Sequence, residues 1–431
     1  MEKNLENIRA LKAIIQIFST LILIQPTIAL SQPQLPTPYF PPPNFRIIVN
    51  SNADGAIQAD DKLTLREAIE VVNGRLLPEK LSNFEKNLVN SNSLNSQIEF
   101  NLPSGQTTIE LEQELPSLAT TGTVIDGTTQ KGYNASRSAT AEVFIPKPIV
   151  TITPALGKEI LRGLTIIADN VQIRGLSIYS FNSTSETATL SLPPANIFID
   201  SSRESGEKAP KNVVIENNWL GITTDEKVPE KLSAFGVYIF NSKGATIRRN
   251  RISYHEGSGI ITSKNADNTL MLENLIVGNG VAGMPDAIRL EGVISNSQLK
   301  GNIICGNDGA GIYLFKPDGK VKIQDNRINF NGRRLRRAAV YLMGDSHQVI
   351  NNEIRNQAGP GVAITSFSTV GGFGSAVGNV IQNNQFSDLE GLSIDLNTQQ
   401  NLDVSDFQRS DGVNPPRNSP QRRKETANGA I

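Results

Sequence analysis

Residues 247–276 read IRRNRISYHEGSGIITSKNADNTLMLENLI, and the same short template stands at each end of the stretch. The template is an apolar residue, two variable residues, Asn, one variable residue and a second apolar residue. It occurs seven times: IENNWL, IRRNRI, MLENLI, LKGNII, IQDNRI, VINNEI and IQNNQF, starting at 215, 247, 271, 299, 323, 349 and 381. The template asparagines are Asn218, Asn250, Asn274, Asn302, Asn326, Asn352 and Asn384, separated by 32, 24, 28, 24, 26 and 32 residues. A second motif interleaves with the first. GVYIF, GIIT, AIRL, GIYLF, AVYLM, GVAIT and GLSID begin at 236, 259, 287, 311, 339, 361 and 391. Each is a small residue followed by apolar alternation of period two, the mark of a strand with one buried face.

A repeat of this size accommodates two or three short strands with their turns, so each strand can stack on its equivalent one coil away. Helical repeats of similar period would carry stripes of period 3.6 and few Gly or Asn, and a propeller needs longer repeats. The predicted fold is therefore all-β: a right-handed parallel β-helix, a single-stranded solenoid. The apolar positions point inward as stacked rows. Asn tolerates left-handed backbone, which suits the bend after each row. Its side-chain amide can also bond to the Asn of the coils above and below, forming a ladder.

Degenerate coils precede the clear ones: QIEFNLPSG, TIELEQELP, TVIDGT, PIVTITPA, GLTIIADNVQIRGLSIYSF and NIFID. The expected solenoid spans 98–400, about eleven coils and about 50–55 Å long at one strand spacing per coil.

Outward from this body, the N-terminus reads as an export signal. Lys3, Arg9 and Lys12 precede the apolar stretch AIIQIFSTLILI at 13–24, and Thr27-Ile-Ala29 is a small-x-small cleavage site. The expected organisation is a signal peptide at 1–29, a Pro-rich linker at 30–45, a leading strand with capping helix at 46–97, the solenoid, and a polar tail at 401–431. The expected location is outside the cytoplasm, with no membrane span once the signal is removed. Thr64 and Glu67 form a capping box. Leu65, Ala68, Ile69 and Val72 make one apolar stripe, so a short helix is expected to cover an open end of the core.

The 41 basic and 42 acidic residues nearly cancel, leaving no bulk field to attract nucleic acid or membrane. Cys305 is the single cysteine, which rules out an internal disulfide.

TLREAIEVVN, VIDGTTQKGY, NNWLGITTD and DGVNPP together resemble the signatures of bacterial exported β-helix proteins with a CSLREA-type N-terminal motif. The likeness covers most of 46–416, although Leu63-Thr64-Leu65 stands where that family typically has Cys-Ser/Thr-Leu. It implies a pectin-lyase-like right-handed helix on a secreted or surface protein and says little about chemistry. Relatives of this kind often carry further C-terminal modules.

In a solenoid, function rides on loop insertions along one flank. Here alternate coils bulge at 219–235, 277–286 and 329–338, and a Gly-rich SFSTVGGFGSAVG follows at 366–378. The 329–338 bulge holds Arg333, Arg334, Arg336 and Arg337, whose guanidinium forks suit uronate carboxylates or phosphates. A solvated basic loop explains the same cluster. Arg289 and Glu291, at outward positions of AIRLEG, are expected on the same flank. The row before the template Asn (Asn217, Arg249, Glu273, Gly301, Asp325, Asn351, Asn383) mixes signs. Asp200, Asp286, Asp318, Asp325 and Asp345 look scattered, and His255 and His347 lie in different coils.

Asn50, Asn52, Asp54 and Asp61 fall on ligand positions of a calcium-loop template, but Asn at the first position and Asp at the twelfth weaken ligation, and a polar turn feeding the helix cap accounts for them better. Asp395, Asp403, Asp406 and Asp411 gather late without calcium-roll spacing. No cofactor is expected, with calcium as the one metal considered. Three functions remain open on this reading: a glycan- or envelope-binding surface scaffold, a lyase or C5-epimerase acting on acidic polysaccharide, and a passive spacer. The sequence names no partner and no oligomeric state.

Overall fold

The computed structural model describes residues 44–91, 93–138, 142–183, 193–201, 208–335, 337–366 and 374–396. The signal segment, nearly all of the Pro-rich linker, Arg336, residues 367–373 of the Gly-rich loop, and Asp403, Asp406 and Asp411 lie outside them.

Within each coil the chain visits three sheets in turn. The first sheet has 12 strands, the second 10 and the third 9. Pairing along each sheet is parallel and in register from one coil to the next, apart from register shifts after Ile239 and Leu290 in the third sheet and one antiparallel strand, Val89–Asn90, at the edge of the first sheet. The template explains this directly. Ile215, Ile247, Met271, Leu299, Ile323, Val349 and Ile381 stack as one row in the first sheet. Leu220, Ile252, Ile276, Ile304, Ile328, Ile354 and Phe386 stack in the second. Both rows join one continuous core, and only the last members, Ile381 and Phe386, are partly exposed. A slip of one residue would turn every such side chain outward, so the core itself enforces the register.

The ladder runs through all seven template asparagines. Each Nδ2 donates to the Oδ1 of the next Asn at 2.9–3.1 Å. The left-handed bend lies elsewhere than expected. It falls one residue earlier, on Asn217, Arg249, Glu273, Gly301, Asp325, Asn351 and Asn383, with φ between 50° and 68°. The ladder side chain must point inward to reach its neighbours, whereas the residue at the bend meets solvent. That is why the row before the Asn tolerates Arg, Glu and Asp.

The helix Leu65–Val72, called α1, has the expected capping box and buries Leu65, Ala68, Ile69, Val71 and Val72 in the main core. The leading strand Arg46–Val49 already belongs to the solenoid, because it pairs in parallel with Gln97–Phe100 in the first sheet. The solenoid thus starts before residue 98. Val143 and Ile145, from the connection after the strand Val124–Asp126, pack on Trp219 and Ile222 and cover part of the second sheet. Among the described residues, no helix is long and apolar enough to cross a membrane.

Candidate functional site

The outer face of the third sheet carries a row set by strand register: Phe198, Tyr238, Ile261, Arg289, Tyr313, Tyr341 and Ala363. Neighbouring rings meet edge to face, Phe198–Tyr238 at 5.6 Å and Tyr313–Tyr341 at 5.4 Å between centroids. Such pairs add about 0.5–1.5 kcal/mol each beyond burial. Arg289 enters this row as a cation among rings. Its guanidinium lies 4.9 Å from the Tyr313 centroid and 4.4 Å from that of Phe315.

Two bulges supply the partners. Asp286 ends the 277–286 bulge and is fully buried. Its Oδ1 accepts from Arg337 Nη1 at 2.8 Å and from the Ala310 amide at 3.0 Å, and its Oδ2 faces Arg289 Nη1 at 3.5 Å. Arg289 Nε also donates to Glu291. Burial by itself would lower the Arg289 pKa, but Glu291 and Asp286 outweigh it and hold the pKa above its ordinary value. Burial pushes the Tyr313 hydroxyl up, away from any ready ionisation.

The described arginines of the 329–338 bulge, Arg333, Arg334 and Arg337, do not form one exposed basic cluster. Arg337 is only 2% exposed and points into the interior network, and Arg289 is 3% exposed. Arg333 and Arg334 are exposed, yet both act as struts. Arg333 Nη1 donates to the Gly306 carbonyl at 3.0 Å. Arg334 bonds Asp308 at 3.1 Å and the Gly280 carbonyl at 3.0 Å. These bonds tie the 329–338 bulge to the corresponding connections of the two coils before it, bracing the flank as a rim. Glu291 and Phe315 are half-buried at the edge of the network.

The sequence reading passed over Asp286 as one of several scattered acids. It also missed a second ladder at the turn into the third sheet. His255 Nδ1 donates to Asn279 Oδ1 at 2.8 Å, Asn279 to Asn307 at 3.0 Å, and Asn307 to Asn331 at 2.7 Å. Asn196 Nδ2 lies 2.9 Å from His255 Nε2 and donates to it. A signal was present: His255, Asn279, Asn307 and Asn331 each stand five positions after a ladder Asn.

A different centre lies at the edge of the third sheet. Arg162 stacks on Phe198 at 3.8 Å and lies 4.0 Å from Glu114. Burial lowers the Arg162 pKa against the pull of Glu114 and Asp200. Burial raises Glu114 and Asp200 above the ordinary carboxyl range despite the nearby guanidinium.

The loop matched to a calcium template is a clasp. Arg66 grips Asp54 with two bonds of 2.8 Å, and Asp54 also accepts from the Glu112 amide at 2.9 Å. Asn50 bonds Leu63 and Asp61 backbone atoms, and Asn52 bonds the Thr108 carbonyl. The loop thereby fastens α1 to the second sheet. Among the described residues, no cluster of three or more His, Cys, Asp or Glu is placed to hold a metal.

Residues 166–354 match the family model described as "Right handed beta helix region". The class defined by this fold is the right-handed parallel β-helix. No curated protein matches the chain in sequence. Among solved structures, ORF18 of Geobacillus virus E2 is similar over 71% of this chain and 53% of its own, at 11% identity and a TM-score of 0.45. PfbA, a surface adhesin of Streptococcus pneumoniae, is similar over 70% of this chain and 79% of its own, at 15% identity and a TM-score of 0.43. The A-module of the Azotobacter vinelandii mannuronan C-5 epimerase AlgE4 is similar over 70% and 89%, at 14% identity and a TM-score of 0.40. The chain spans about half the length of the viral protein. At this level the likeness concerns the fold alone.

Proposed function

We propose that this chain is an exported β-helix scaffold that binds carbohydrate on the outer face of its third sheet without transforming it. One observation carries the reading: Asp286 is engaged by both Arg289 and Arg337 in a buried network against an aromatic row. A carboxylate held by two guanidiniums is a poor proton carrier, and an arginine so engaged is a poor base. The same arrangement is a good platform. The rings of the row, Phe198, Tyr238, Tyr313 and Tyr341, are buried and brace it from within, so the surface offered to sugar C–H and hydroxyl groups is that of the half-buried Phe315 and Glu291 beside the rim. Export rests on the basic and apolar pattern of residues 1–29.

The test is a glycan array run with an assay for unsaturated uronate and epimerised products. The expected result is binding without product, weakened in Phe315→Ala. Product formation by the wild type would overturn it. Absence of both binding and turnover would favour a passive spacer.

A lyase or epimerase is the second reading, favoured by the Arg162 centre. There Arg162 lies 4.0 Å from Glu114, and burial disfavours the charged forms of Arg162, Glu114 and Asp200 alike, a grouping of the kind that marks sites of proton transfer. Turnover abolished by Arg162→Lys in a folded protein would establish that reading.

A further inference from the structure

The outer face of the first sheet changes character along its length. In its N-terminal half the charged side chains are spent on each other: Arg46 with Glu99 at 2.7 Å, Arg174 with Asp126 at 2.5 Å and Arg248 with Glu216 at 2.6 Å. Farther along, the corner between the third and first sheets holds a groove of about 340 Å³. Asn296, Gln298, Lys320, Lys322, Ser346 and Gln348 line it, above the buried Ser297 and Val321.

Register arranges these six as a grid. Gln298, Lys322 and Gln348 are aligned on three successive coils. Two residues earlier on the same coils stand Asn296, Lys320 and Ser346. The central coil is therefore cationic, and both flanking coils offer neutral amide or hydroxyl groups. None of the six makes a side-chain hydrogen bond or ion pair to another described residue. The nearby Asp325 is taken up by Lys300 at 3.9 Å and by Gln324 at 3.0 Å. Unlike the Asp286 network, this groove presents its polar groups outward in a concave surface.

We infer that this groove binds an acidic polysaccharide laid along the solenoid axis, with one uronate carboxylate on Lys320 and Lys322 and adjoining sugar hydroxyls on the flanking amides. Coils are about 4.8 Å apart, close to the rise of one sugar residue in an extended chain. An ammonium is a point charge suited to a carboxylate, and amide side chains donate and accept at once, which matches sugar hydroxyls. A polymer charged at every unit, such as polyphosphate, would demand cations on the flanking coils as well. The inference goes beyond the reading of the third sheet and does not depend on it.

The experiment is titration calorimetry of the whole chain with a defined oligogalacturonate, a neutral maltooligosaccharide of equal length, and inorganic polyphosphate. The expected result is oligogalacturonate binding that weakens with salt and falls about tenfold in Lys320→Gln/Lys322→Gln, in keeping with the loss of two exposed ion pairs. Gln298→Ala/Gln348→Ala is expected to weaken it further without changing the salt dependence. Phe315→Ala, on the third sheet, is expected to leave it unchanged, which separates the two surfaces. Equal binding of the neutral sugar, tighter binding of polyphosphate, or an unchanged affinity in the folded lysine variant would overturn the inference, as would failure of the wild type to bind oligogalacturonate.

Discussion

Arg337 reaches back across 51 residues to Asp286, two coils earlier, and its Nη1 stops 2.8 Å from Oδ1. The pair is almost fully removed from water, at 2% and 0% side-chain exposure. It joins two bulges that have no backbone strand in common, so the shape of the flank depends on it.

Removing one partner leaves the other buried without this counter-charge. Asp286→Ala is expected to destabilise the fold by about 3–5 kcal/mol, because Arg337 loses this counter-charge in the interior and Arg289 is left with Glu291. The double variant Asp286→Ala/Arg337→Met is expected to cost less than the sum of the two single changes. Urea denaturation of the four proteins measures this, and strict additivity would show that the pair is not coupled.

His255 supplies a pH dependence of definite sign. Burial pulls its pKa down to about 4 from 6.5, against the bond to Asn279 that favours the charged form. The folded state therefore resists a proton that the unfolded chain accepts. Stability is full above about pH 6.5 and is lost as the pH falls toward 4, by about 3 kcal/mol in total for this group. Burial lowers His347 in the same direction. The raised carboxyls Glu114 and Asp200 act with the opposite sign, so the comparison must be made between variants. His255→Asn, which can continue the ladder, is expected to flatten the wild-type loss between pH 6.5 and 4 in urea titrations. An equal pH slope in both proteins would contradict the assignment.

The first ladder is expected to be most sensitive in its middle. Asn302 Oδ1 accepts from the backbone and side chain of Asn274, while its Nδ2 donates to Asn326 and Met271. Asn302→Ala strands several buried groups and is expected to cost about 2–4 kcal/mol. Asn384 is partly exposed on the last described coil, where water can replace it, and Asn384→Ala is expected to cost about 1 kcal/mol. Thermal melts of the two variants give the ranking, and a reversed order would show that coil position does not govern the cost.

The seven templates made the solenoid legible because a parallel stack repeats one local problem. Each coil must bury an aliphatic residue, bend, satisfy an amide and bury another. Position in the chain was enough to assign both core rows, the Asn ladder and the capping box at Thr64 and Glu67. The same reasoning placed the left-handed bend on the ladder Asn, one residue late, since composition at the preceding position is too varied to advertise its backbone. The second ladder was legible in principle, five residues after the first, but His255 broke its pattern.

The site was much less legible. Asp286 lies in one bulge and Arg337 in another, with no periodic relation between them, and Arg333 and Arg337 look alike as letters. What separates a strut at the rim from a buried counter-charge is the direction each takes once the bulges pack, which depends on coils far apart in sequence. The groove of Lys320 and Lys322 shows the same division. Local alternation determined that these side chains face outward; only the lateral stacking of three coils decided that cations stand between rows of amides. Sequence alone thus determined the repeating backbone, because its cause is local and recurs in every coil. Tertiary structure decided which charges are spent and which face solvent, because that balance is struck between residues brought together only by the winding of the helix.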